Sequence, residues 1–284
     1  MTIAIDSGPY KFSVSGLPSN VISELKKLYQ DRFSLFGDGF YDFSLSVEQT
    51  SPLRRFFRRQ RVVSVEGVKP FNPISESHLL PSIEWAMNWA VAAYQHTKLS
   101  LHASVVVKNG KAIMFPAYSG SGKSTLATCL GCSGWQMFSD EMALIDPKTL
   151  KISPLYRPSS LKNNSIEVVK KFCKSAELSS VTHGTHKGDI AHARLYSSEE
   201  FGGFEAAPPT ALVFLRYVPK SVTTITAVSN AEAFAMLLRN SFNYNILGSQ
   251  GFSVLSRIAS TCEAIYVEYS DLEDMNDFLS ELVE

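Results

Sequence analysis

No stretch of the 284-residue sequence is both long and apolar enough to cross a bilayer; the longest apolar segment, 79–94, is interrupted by Glu84 and Asn88. The first residues, Met-Thr-Ile-Ala-Ile-Asp, lack the basic start and apolar run of a secretory signal. A cytoplasmic chain with no membrane span is therefore expected. Neither sign of charge is in excess, because 27 Lys and Arg balance 27 Asp and Glu. A nucleic-acid partner is not expected on that balance, although Arg54, Arg55, Arg58, Arg59 and Arg61 surround Phe56 and Phe57 in a local basic patch. Solvated hairpin ends are the plain reading of that patch; an acidic partner, a membrane surface or RNA is the sharper one. Cysteine is scarce, with Cys129, Cys132, Cys173 and Cys262 the full set. Cys129 and Cys132 form a C-x-x-C, but it falls in an expected helix and no second pair completes a metal set, so buried packing is the expected role.

What the chain does have is Phe-Pro-Ala-Tyr-Ser-Gly-Ser-Gly-Lys-Ser-Thr-Leu at 115–126. This is a glycine-rich turn between an apolar strand at 112–115 and a helix, in the manner of G-x-x-x-x-G-K-[ST]. Gly120 and Gly122 let successive N–H groups point into one hollow, Lys123 reaches outer phosphates, and the Ser124 hydroxyl is placed to ligate Mg²⁺. The helix that follows turns its positive end to the same anion. The backbone of 119–125, that is Ser119, Gly120, Ser121, Gly122, Lys123, Ser124 and Thr125, is the expected nucleotide cradle. Ala117 stands where the motif's first glycine belongs, which requires a negative φ there. Lys123 is expected to face solvent when no ligand is bound.

The rest reads as one catalytic domain at 76–284 with a small N-terminal α+β module at 1–75. Within the module, 10–15, 41–47 and 62–66 read as strands and 19–29 as a helix capped by Ser19. A long helix is expected over 76–98, its stripe of Leu79, Leu80, Ile83, Met87, Ala90, Val91 and Tyr94 being core, with Trp85 and Trp89 stacked. Strands at 101–107 and 111–115 flank Asn109-Gly110, a strong hairpin signal. After the helix of the glycine turn, a short strand at 135–138 runs into Asp140-Glu141. Further on, 211–217 and 223–228 read as a hairpin, followed by helices at 230–240 and 252–261, a strand at 264–269 and a last helix from Asp271. Together these give a mixed sheet with helices on its faces. Arg157, Lys162 and Lys187 are cations in polar stretches, and Gly184 and Gly188 make 182–192 an expected mobile lid that brings Lys187 to a phosphate. His183, His186 and His192 lack a convincing metal spacing.

An acidic pair so soon after Lys123 leaves room for one helix and one strand only. With Leu101-His102-Ala103, the glycine turn, 139–147, 160–167, 187–192 and 240–244, this order resembles the HPr kinase/phosphorylase family, and more closely the group called HPr-kinase-related kinase A. The resemblance covers about 84–244. It implies an α/β, phosphoenolpyruvate-carboxykinase-like P-loop kinase fold with a mixed sheet. It also implies ATP and Mg²⁺ as cofactors and a hydroxyl acceptor, most plausibly serine on a protein or peptide. A small-molecule or saccharide hydroxyl, or a nucleotide-responsive binding module without turnover, are the alternatives. Ser124, Asp140 and Glu141 would hold the metal; one of the two carboxylates would take the hydroxyl proton, Asp140 being favoured. His102 matches the family histidine near the acceptor, and Lys123 and Lys187 would neutralise charge during transfer. Kinases of the parent family are oligomers, which leaves a homo-oligomer open. The family's second signature has no counterpart here and its Asp-Asp is Asp-Glu, so phosphorolysis is not implied; the N-terminal module also differs, so HPr is not implied as acceptor.

Overall fold

A computed structural model describes residues 1–35, 39–50, 60–117 and 120–284. It is an α/β chain with mixed sheets, helix and strand being present in similar measure. The arginines at 54–59 lie outside the described residues, while Arg61 pairs with Glu76 at 2.7 Å. Among the described residues, no helix is long and apolar enough to cross a membrane. The chain forms two compact units: Met1–Tyr94 with Tyr156–Lys170 and Ala176–Gly203, and Gln95–Leu155 with Lys171–Ser175 and Phe204–Glu284. Each unit thus draws on segments far apart in sequence.

The first unit holds a six-stranded sheet in the order Phe33–Leu35, Thr2–Asp6, Lys11–Ser15, Phe43–Gln49, Gln60–Val65, Ile74–Ser75. All neighbours are antiparallel except Lys11–Ser15 with Phe43–Gln49. The period of two turns Ile3, Ile5, Phe12, Val14, Leu45 and Val47 inward, which is what fixes the register. The helix Ser19–Tyr29 begins without the expected cap. Pro18 takes the capping position, its carbonyl accepting from the N–H groups of Val21 and Ile22. The second helix covers the stripe but is shorter than the expected 76–98: a 3-10 turn at Glu76–His78 leads into Leu79–Tyr94. Trp85 meets the edge of His186, and Trp89 that of Tyr94, in place of a Trp–Trp stack.

The stretch expected to be a lid is a β-hairpin. Thr182–Thr185 pairs with Gly188–Arg194, which is also paired with Ser159–Lys162. Its glycines serve the turn. The Lys187 N–H donates to Thr185 Oγ1 at 3.1 Å, and Thr185 Oγ1 donates to the Gly188 carbonyl at 2.6 Å. Gly188 has φ +88° with the Asn163 side chain where a Cβ would stand. Lys187 lies at the tip, its ammonium 4.5 Å from the Trp85 ring centroid, a cation–π contact.

In the second unit the main sheet runs Gln136–Ser139, Ala103–Lys108, Lys111–Pro116, Pro209–Tyr217, Glu263–Tyr269, Thr224–Ala227. The hairpin at Asn109-Gly110 forms as expected, with φ of +53° and +72° at its two central residues. The expected hairpin of 211–217 with 223–228 does not form. Pro209–Tyr217 pairs in parallel with both Lys111–Pro116 and Glu263–Tyr269, and Thr224–Ala227 adds outside the latter. Burial explains the order. Ala264, Ile265 and Val267 are buried on both faces as an interior strand requires, whereas Thr224–Ala227 is exposed throughout and suits an edge. A core of Val105, Met114, Phe138, Leu212, Leu237 and Leu255 joins the sheet to the helices Asn230–Arg239 and Ser249–Thr261.

Two cysteines depart from simple packing, since Cys132 and Cys173 form a disulfide across a sequence separation of 41. Cys129 and Cys262 are buried thiols, burial pushing Cys129 up to about 12 and Cys262 up to about 11, so both are inert near neutral pH. A bridge of this kind persists in oxidising surroundings and opens where thiols are kept reduced. On the chain-entropy account, a loop of that length is worth about 4 kcal/mol. Urea unfolding with and without reductant should show a loss of about 2–4 kcal/mol on reduction, and Cys132→Ser should abolish the difference.

Candidate functional site

The loop edge of the second unit's sheet gathers the chemistry. Lys111–Pro116 ends at Ala117, whose φ is not positive, so alanine is accommodated where the motif has glycine. Tyr118 and Ser119 lie outside the described residues. Gly120 and Gly122 both adopt φ +94°, a conformation costly to any residue with a Cβ. Helix Lys123–Cys132 starts immediately after, the Gly122 carbonyl accepting from Leu126 N–H at 3.0 Å. Ser121 Oγ is buried with no hydrogen-bond partner among the described residues, a polar atom of the turn left for a ligand.

Two neighbouring strands clamp this turn. The Tyr217 N–H donates to the Ser121 carbonyl at 3.1 Å, and the Tyr269 hydroxyl donates to the Gly122 carbonyl at 3.3 Å. A Cβ on Gly122 would stand 2.6 Å from the Tyr269 hydroxyl and 3.0 Å from Tyr217 Cβ, whereas one on Gly120 meets nothing within 4 Å among the described residues. Gly120→Ala should therefore cost only the backbone term, about 1–2 kcal/mol. Gly122→Ala must also displace Tyr269, and should lose more stability in urea unfolding. Equal losses in the two variants would contradict the clamp.

Lys123 is not solvent-facing as expected; it is 5% exposed, because its ammonium turns back to His102, with Nζ 2.9 Å from Nε2. An ammonium only donates, so Nε2 accepts and the imidazole carries its proton on Nδ1. His102 falls in the break between Leu99–Leu101 and Ala103–Lys108. Its N–H donates to the Asn240 carbonyl at 2.7 Å and its ring packs near Phe242.

Asp140 is buried and Glu141 half-buried, in the bend after Gln136–Ser139. They are past the strand end, so strict alternation does not govern them. Ser139 Oγ closes the bend by accepting from Met142 N–H at 3.1 Å. Ser104 fixes Asp140, its hydroxyl donating to the Asp140 carbonyl and lying 3.4 Å from Oδ1.

Several positioning residues were not singled out from sequence. Asn243, 1% exposed, accepts from Ser100 N–H at 2.9 Å and donates to the carbonyls of Gln95 and Lys98 at 3.1 and 2.8 Å. With the Asn240 carbonyl it pins the strand that ends at His102. Asn243 falls in the 240–244 stretch that carries the resemblance, where it was given no role. Tyr217 and Tyr269 carried none beyond strand pattern.

Arg157 and Lys187 belong to the first unit. Arg157, a candidate phosphate cation by sequence, is instead buried against Glu84 at 2.5 Å. No cluster of three or more His, Cys, Asp or Glu stands ready for a metal among the described residues. Mg²⁺ needs no such cage, since it takes one or two carboxylates and completes its shell with phosphate oxygens and water. A serine hydroxyl and carboxylates, which Ser124, Asp140 and Glu141 supply, are ligand types that Mg²⁺ accepts. No protein-family model matches the chain, and no curated protein matches it.

Proposed function

We propose that the chain is an ATP- and Mg²⁺-dependent kinase that transfers a γ-phosphoryl group to a hydroxyl, most plausibly serine of a protein or peptide. The observation that carries this is convergence on one sheet edge: a left-handed glycine turn, a buried lysine held by a neutral histidine, and a buried aspartate anchored by Ser104. On this reading the second unit has the phosphoenolpyruvate-carboxykinase-like P-loop kinase fold, and the serine acceptor comes from the resemblance to HPr-kinase-related chains.

Each residue has a task that phosphoryl transfer requires. The N–H groups of 119–125 and the end of helix Lys123–Cys132 hold the phosphates. Lys123 leaves His102 for the outer phosphate, and His102, neutral, keeps it aimed until then. Mg²⁺ would be held by Ser124 and one carboxylate and would neutralise charge between the outer phosphates. Asp140 takes the acceptor proton, and Glu141 completes the metal's surroundings. Saccharide or other small hydroxyls fit the same machinery.

The test is incubation of the full chain with Mg-[γ-³²P]ATP and a protein extract, followed by acid hydrolysis and phosphoamino-acid analysis. Label in phosphoserine is expected. ATP binding without label in protein or small molecules, at any time up to hours, would leave a nucleotide-binding module and reject the kinase.

A further inference from the structure

We infer that Tyr217 is the platform on which the base of a bound nucleoside triphosphate stacks, with Tyr269 as its buried support. The inference rests on the phosphate-loop reading and adds where the nucleoside lies.

Sheet order gives the direction. Ala103–Lys108 is antiparallel to Lys111–Pro116, and Gln136–Ser139 is antiparallel to Ala103–Lys108. His102 and Asp140 therefore sit at the loop edge on one flank of the glycine turn. Pro209–Tyr217 and Glu263–Tyr269 run parallel to Lys111–Pro116, so their carboxyl ends, Tyr217 and Tyr269, reach the same edge on the opposite flank. A triphosphate in the turn with its reacting end toward Asp140 and His102 directs its nucleoside toward the tyrosines. Ligands of open α/β sheets bind outside the carboxyl ends of parallel strands.

The tyrosines are built for that place. Tyr269 is 1% exposed, and burial raises its pKa well above the ordinary tyrosine value, so its hydroxyl stays a donor to the Gly122 carbonyl. Tyr217 is tied to the turn through its N–H, yet the residue is left 47% exposed. The two rings lie 5.7 Å apart at 74°, an edge contact that fixes the Tyr217 ring without covering it. A lone exposed tyrosine is ordinary. One fixed by two links to a phosphate-type turn, on the flank away from the acidic pair, is a π-surface where a base would fall. Stacking uses the face of the base and not its hydrogen-bonding edge, so ATP and GTP should be held alike.

Calorimetry on the full chain with Mg²⁺ separates the possibilities, using ATP, GTP and inorganic tripolyphosphate on wild type, Tyr217→Ala and Tyr217→Phe. Tyr217→Ala should weaken ATP and GTP about tenfold or more and leave tripolyphosphate unchanged, while Tyr217→Phe, which keeps the ring, restores both nucleotides. Equal weakening of all three ligands would mean a disturbed turn, and no weakening of ATP would mean a base held elsewhere; either overturns the platform while sparing the phosphate loop. If wild type binds neither ATP nor tripolyphosphate, both readings fall together.

Discussion

Asp140→Asn is expected to lower phosphoryl transfer at saturating Mg-ATP by about 10²–10⁴-fold, the range of a lost general base, while nucleotide affinity stays within a few-fold of wild type. The substitution is suited to its surroundings. Asp140 is 2% exposed, and Ser104 holds both its carbonyl and its carboxylate. Asparagine keeps the shape and an oxygen that can accept from that hydroxyl, so the bend and the sheet edge survive while basicity is lost. Lys123→Ala is a poorer probe, because the lysine is buried against His102 and its removal leaves a hole there and takes away a contact of the imidazole. Single-turnover rates measured beside calorimetric affinities decide the role. Collapse of Mg-ATP affinity with the saturated rate intact would make Asp140 the metal ligand and pass the base to Glu141. An unchanged rate and affinity would remove Asp140 from the chemistry.

The legible parts of this molecule are those in which backbone conformation is dictated locally. Gly120, Gly122 and Asn109-Gly110 occupy left-handed positions that few other residues tolerate, so their residue types announce the turns. Alternation likewise announces Lys11–Ser15 and Phe43–Gln49 as half-buried strands. What a pattern does not carry is the partner. The same apolar run in 211–217 suits a hairpin or a parallel interior strand, and only Glu263–Tyr269, far along the chain, decides between them. Gly184 and Gly188 show the same ambiguity: a glycine that permits a hinge also permits the tight hairpin turn that is present, with Asn163 against Gly188. The Cys132–Cys173 bridge joins a helix end to a distant loop residue with no spacing signal. Charged residues are the hardest to read. Lys123 looked solvent-facing and Arg157 looked like a solvated charge or a phosphate cation, and both are buried because a distant side chain, His102 or Glu84, receives them.

Glu84→Ala is accordingly expected to destabilise the first unit by about 3–5 kcal/mol, the usual consequence of stranding one member of a buried ion pair. The side chains of Arg157 and Glu84 are 6% and 3% exposed, and their hydrogen bonds are nearly complete. Arg157 Nη2 donates to Glu84 Oε2 at 2.5 Å and to the Glu84 carbonyl at 2.7 Å, Nη1 to Asn88 Oδ1 at 3.0 Å, and Nε to the Tyr29 hydroxyl at 3.0 Å. Tyr29 in turn donates to both Glu84 oxygens, and burial raises its pKa far enough that it remains a neutral donor at working pH. Burial opposes the Arg157 charge, but Tyr29 and Glu84 beside it favour that charge, and the balance leaves its pKa above the ordinary guanidinium value. Removing the carboxylate leaves this cation without its counter-charge and the tyrosine hydroxyl without its acceptor. The penalty is thus one of desolvation, and it exceeds what a single hydrogen bond is worth. The paired replacement Glu84→Leu with Arg157→Met removes both charges at once and should cost far less than either single change, or even stabilise. Urea unfolding of wild type, Glu84→Leu, Arg157→Met and the double variant closes the double-mutant cycle. A loss below about 1 kcal/mol for Glu84→Ala is what a solvated surface pair would give, and it would contradict the buried arrangement.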